Sequence, residues 1–138
     1  MIPLLVEIAA TLVARVWLAW PDAVRVGLAI MFLFTSTAHF SSMKRDLAAM
    51  MPPPLTGAMW LIYLTGVFEI AGAIGLLVPR LIRPAAWALI AMLVAMFPAN
   101  VYAALKGVTL RGRPATALWL RTPLQAFWIA ALWWSSVA

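Results

Sequence analysis

The 138 residues contain no cysteine. That excludes disulfides, thiol catalysis and cysteine-ligated metal centres. Charge is scarce too. Lys and Arg together number 10, Asp and Glu 4, and His39 is the single histidine. No histidine pair, neighbouring carboxylate pair or glycine-rich phosphate loop exists, so hydrolase, kinase and zinc-enzyme chemistries have no support. The eight methionines, Met50, Met51, Met92 and Met96 among them, fit core filling better than a metal path, and no metal site is expected. Nothing matches a nucleic-acid motif. The net charge of +6 comes from basic residues in short connections between apolar runs, a topological signal rather than a binding patch.

Apolar residues are what the chain has in excess. They make up 66% of it, charged residues only 10%, and the mean hydropathy is +1.01. A soluble domain runs nearer half apolar and about a quarter charged. Lipid must therefore be the solvent over much of the surface. Five apolar stretches of 18 to 23 residues stand out, at 2–20, 23–40, 57–78, 84–105 and 115–137. Each is close to the ~20 residues that cross a bilayer as a helix. The reading is an all-α integral membrane helical bundle, with four core transmembrane helices plus an additional N-terminal hydrophobic helix, in a single membrane domain. The first stretch carries Glu7 and Arg15 and either spans or lies in the interface. Glu7 and the lack of a basic leader argue against a cleavable signal peptide.

Tryptophans mark both ends of the stretches. Trp60 and Trp119 lie near one interface, and Trp17, Trp20, Trp87, Trp133 and Trp134 near the other. Lys44, Arg45, Lys106, Arg111 and Arg113 gather in the second and fourth connections, which the positive-inside rule assigns to the cytoplasm. Five spans put the N-terminus inside and the C-terminus outside. The expected location is a bacterial inner membrane, crossed several times.

Polar groups inside such helices are the informative ones. Glu69 lies near the middle of the third stretch, sharing a helical face with Thr65 and Gly72. Arg121 and Gln125, four apart, share a face of the last. Asn100 and Tyr102 follow Pro98 in the fourth, and Thr35, Thr37 and His39 end the second. Helix rise puts Arg121 and Asn100 roughly 7 Å, Gln125 about 13 Å and Glu69 about 16 Å from the cytoplasmic end. This convergence gives a candidate ligand-binding polar pocket of Glu69, Arg121, His39, Asn100, Tyr102 and Gln125, with Glu69 and Arg121 as its charged pair. The bland alternative is a structural ion pair with amide glue between helices. Pro98 frees a backbone carbonyl. Thr122-Pro123-Leu124-Gln125 reads either as a capping box that starts a helix or as an interior proline.

These residues also carry a resemblance. Thr37-Ala38-His39-Phe40, Met51-Pro52-Pro53, the run from Leu64 to Leu77 around Glu69, Phe97-Pro98-Ala99-Asn100-Val101-Tyr102 and Leu120-Arg121-Thr122-Pro123-Leu124-Gln125 together resemble the DoxX-like family of small bacterial membrane proteins. The likeness covers about 24–134. It implies a four-helix membrane architecture, with the N-terminal helix as an addition. Some relatives are linked to thiosulfate:quinone oxidoreduction, others to oxidative-stress complexes, and a distant branch to receptor assembly. The expectation is an accessory or ligand-binding membrane protein, not a stand-alone enzyme. Its pocket would hold a small amphipathic ligand such as a quinone or lipid headgroup. The alternatives are a membrane subunit of a quinone-linked oxidoreductase complex and a membrane-protein assembly factor. A membrane-protein partner or a second copy is expected, and no nucleic acid.

Overall fold

A computed structural model describes residues 2–110, 113–114 and 117–138. The helices are α1 (Ile2–Ala14), α2 (Trp20–Phe40), α3 (Lys44–Ala49), α4 (Met59–Leu77), α5 (Ile82–Lys106) and α6 (Leu118–Ser136). Between α5 and α6, β1 (Thr109–Leu110) and β2 (Arg113–Pro114) form a minimal antiparallel pair, with Thr109 opposite Pro114. Arg111, one of the basic connection residues, lies outside the described residues.

Prolines and local hydrogen bonds set several of the boundaries. The first apolar stretch was expected to be helical as far as Trp20, but α1 ends at Ala14. The Trp17 N–H turns back to the Ala14 carbonyl at 3.0 Å, and Arg15 Nη1 donates to the Leu18 carbonyl at 3.0 Å. The Arg15 guanidinium then rests over the Trp20 ring, 4.9 Å from its centroid. Pro21 cannot donate into a helix arriving from its N-terminal side, but it suits a first turn. Pro21 and Asp22 therefore open α2 instead of separating two helices. Asp22 sits at the positive end of that helix and pairs with Arg25. In α6 the Arg121 N–H already bonds the Ala117 carbonyl at 2.9 Å. The helix thus begins ahead of Thr122, Pro123 is interior, and the capping box does not form. The loop 41–56, expected to be irregular, contains α3.

Among the described residues three helices, α2, α4 and α5, are long and apolar enough to cross a membrane. α6 matches α4 in length, but Arg121, Gln125 and four tryptophans make it less apolar. α1, at 13 residues, is about 20 Å long and falls short of a ~30 Å hydrocarbon core. All seven tryptophans expected at the interfaces are exposed, which sets them apart from residues packed between helices.

Neighbour contacts run from α2 to α4, α5 and α6 and back to α2, with α1 laid against α2. Consecutive members of that ring are antiparallel. The apolar core fills one end of it, with Leu28, Met31 and Phe32 from α2, Leu76 from α4, Leu89 and Ile90 from α5, and Leu132 from α6. At that end Arg25 Nη1 donates to the Ser135 carbonyl at 2.8 Å, and Arg83 Nη2 to the Val137 carbonyl at 3.3 Å. Both arginines cap the negative C-terminal end of α6. The opposite end holds the polar residues.

Candidate functional site: two polar clusters and an apolar crevice

The second half of α2 faces the first half of α4. Their approach depends on Gly66: a Cβ there would lie 2.6 Å from His39 Cβ and 2.8 Å from Phe40 Cε2. With the backbones this close, the side chains four residues along each helix meet across the seam. His39 and Thr35 come from α2, Glu69 and Thr65 from α4. His39 Nε2 lies 3.7 Å from Glu69 Oε1, longer than a hydrogen bond and an ion pair when the imidazole is protonated. Thr35 Oγ1 donates to Glu69 Oε2 at 3.1 Å. His39 Nδ1 is 3.0 Å from the Ile62 carbonyl and 3.0 Å from Thr65 Oγ1. The Ile62 carbonyl can only accept, which favours a hydrogen on Nδ1. Both His39 and Glu69 are buried.

A second cluster joins α5 to α6. Arg121 Nη2 donates to Asn100 Oδ1 at 2.9 Å. Asn100 Nδ2 reaches toward Gln125 Oε1 at 3.5 Å, and Gln125 Nε2 donates to the Leu93 carbonyl at 2.7 Å. Leu93 immediately precedes Val94, whose carbonyl loses its partner because Pro98 has no N–H. Gln125 thus ties α6 to the weakened turn of α5.

The expected pairing of Glu69 with Arg121 is not formed. Among the described residues Glu69 contacts His39 and Thr35, and Arg121 contacts Asn100. The single pocket of six residues divides into these two clusters, and no hydrogen bond or ion pair among the described residues joins them. Tyr102 belongs to neither; it is half-buried on α5 and makes no side-chain hydrogen bond among the described residues. Thr35 and Thr65, outside the expected six, complete the first cluster. Thr35 lies four residues before His39 and Thr65 four before Glu69, a same-face spacing readable in the sequence, and each bonds the other helix's member of that pair.

A further buried carboxyl lies where α1 meets α2. Thr11 Oγ1 donates to Glu7 Oε1 at 3.1 Å, while Glu7 Oε2 is buried with no hydrogen-bond partner among the described residues. Gly27 makes the contact possible, since a Cβ there would lie 2.0 Å from Thr11 Oγ1. Burial pushes the Glu7 carboxyl above its ordinary value, and the Thr11 hydrogen bond opposes this more weakly.

Space for a ligand lies elsewhere than in the polar clusters. Two adjoining crevices, of about 330 and about 240 Å³, open between α4 and α5. They share Thr65, Met92 and Ala95. Leu64, Phe68, Ala88 and Ala91 complete the first, while Met51, Pro52 and Leu55 cover one side of the second. None of the six expected pocket residues lines either crevice. Among the described residues Thr65 is the one lining residue with a hydroxyl, and it touches His39. Among the described residues no group of histidines and carboxylates is arranged to hold a metal.

No curated protein and no solved structure matches the chain. A family model does match, from residue 28 inside α2 to residue 136 at the end of α6, and leaves α1 outside it. The chain therefore belongs to the family described as domain of unknown function DUF8561.

Proposed function

We propose that this chain is an accessory membrane protein, DoxX-like in kind, that holds a small neutral amphipathic molecule in the crevice between α4 and α5. In this reading α2, α4, α5 and α6 cross a bacterial inner membrane, and Lys44, Arg45 and Lys106 keep the polar half toward the cytoplasm. The observation that carries it is Thr65. Among the described residues it is the only hydroxyl-bearing one along otherwise apolar walls, and it is backed by His39 and Glu69. A few placed polar groups in an apolar cleft are the usual make-up of a small-molecule site. Among the described residues no charged side chain lines the crevice, so a neutral single-chain or ring-headed molecule fits better than a charged headgroup.

Native mass spectrometry of the detergent-extracted protein tests this. Wild type is expected to carry a bound small molecule. Ala95→Trp, at an exposed position shared by both crevices, is expected to lose it. A bare wild type, or equal occupancy in the two proteins, would overturn the reading. An assembly factor working by helix packing is the second reading. It is favoured by the α5–α6 cluster, whose polar groups are spent on one another and on backbone. Recovery of a stoichiometric membrane-protein client with a ligand-free chain is its expected signature.

A further inference from the structure

The hydrogen-bond inventory around Thr65 restricts what its crevice can recognise. The hydroxyl has one hydrogen and two lone pairs. Three inward acceptors surround that hydrogen at the same distance. The Leu61 carbonyl, the Ile62 carbonyl and His39 Nδ1 each lie 3.0 Å from Thr65 Oγ1. If His39 Nδ1 is bare, it takes the Thr65 hydrogen. If Nδ1 carries a hydrogen, that hydrogen points at the Ile62 carbonyl or Thr65 Oγ1, and the threonine donates to its own helix. In either tautomer the hydroxyl's hydrogen is directed inward and a lone pair remains. Among the described residues the other crevice side chains are alanine, leucine, methionine, phenylalanine and proline, none of which donates a hydrogen bond.

We infer that the α4–α5 crevice selects a molecule presenting a hydroxyl donor, such as a phenol, an alcohol or a hydroquinone, over the corresponding ketone, ether or quinone. The inference rests on the crevice being the binding site and adds the sense of the hydrogen bond. An acceptor head would meet Thr65 lone pair to lone pair and lose its water without replacement, whereas a donor head completes the hydroxyl's valence. For a two-electron carrier, the form retained is the reduced one, whose oxygens carry hydrogen.

Two probes matched in their apolar part separate the possibilities. Equilibrium dialysis of 4-hexylphenol and 4-hexylanisole against the purified full chain, corrected for partition into empty micelles, reads saturable binding of each. The phenol is expected to bind about fivefold more tightly than the anisole. Thr65→Val is expected to lower phenol binding to the anisole's level, and Thr65→Ser to restore the preference. Ala95→Trp should abolish saturable binding of both. Equal binding of the two probes to wild type, lost in Ala95→Trp, would overturn the donor preference and leave the crevice as the site. No saturable binding of either, or binding indifferent to Ala95→Trp, would overturn the crevice itself.

Discussion

The two halves of the helix ring solve the burial problem in opposite ways. One half is filled by Leu28, Leu76, Leu89 and Leu132 and closed by arginines on the α6 carbonyls. The other puts His39, Glu69, Asn100 and Gln125 at buried positions and satisfies them in pairs. In a bilayer, lipid tails are as apolar as leucine, so the first half gains from tight packing rather than from leaving water. The second half gains geometric definition, because each polar group has few partners within reach. The crevice opens beside this second half, where Thr65 brings the polar seam to an apolar wall.

Substitutions in each half sharpen that contrast. His39→Ala removes the ion-pair partner of Glu69 and leaves a buried carboxylate, so a loss of about 3 kcal/mol is expected. Unfolding by a denaturing detergent reads it, and adding Glu69→Gln to His39→Ala should recover much of the loss. Leu89→Ala opens a cavity in the apolar half, and about 2 kcal/mol is expected, largely from lost packing. A second carboxyl substitution should not relieve it. Gly66→Ala pushes α2 away from α4 at the His39 contact, and about 1–2 kcal/mol is expected from overpacking. Native mass spectrometry should also show lower crevice occupancy in this variant, because Thr65 moves with the seam.

The smallest effect belongs to α1, outside the family segment. Burial raises the Glu7 carboxyl above its ordinary value of 4.5. The unfolded chain therefore releases this proton first as pH rises, and wild type loses stability above that value until the folded carboxyl ionises too. Glu7→Gln has no proton to release. Thermal unfolding of the two proteins should coincide near pH 4, with the variant more stable near pH 8. An advantage at low pH instead would contradict the buried, protonated Glu7.

Much of this fold is written in hydropathy. Three of the apolar stretches become the membrane-length helices α2, α4 and α5, with ends shifted by only a few residues. The end of α1 was hidden, because Val16, Trp17 and Leu18 continue the apolar run while Pro21 and the Arg15 turn break the helix. The site residues were legible in depth and not in direction. Helix rise places Glu69, His39 and Arg121 in one half of the bundle, but it cannot say which helix Glu69 faces. Side-chain packing decides that. Gly66, three residues before Glu69, lets α2 in and gives the carboxylate to His39. Arg121, on the far side of the ring, finds the Asn100 amide oxygen instead. The crevice could not be read at all, since it depends on where Met51, Pro52 and Leu55 fold back over α4 and α5.

The most direct test of the account is a pair of double-mutant cycles in detergent unfolding, Glu69→Gln with His39→Ala and Glu69→Gln with Arg121→Gln. The first pair should couple by about 1–3 kcal/mol and the second by no more than the ~0.5 kcal/mol of independent sites. The reverse result, strong coupling to Arg121 and none to His39, would contradict the division into two clusters.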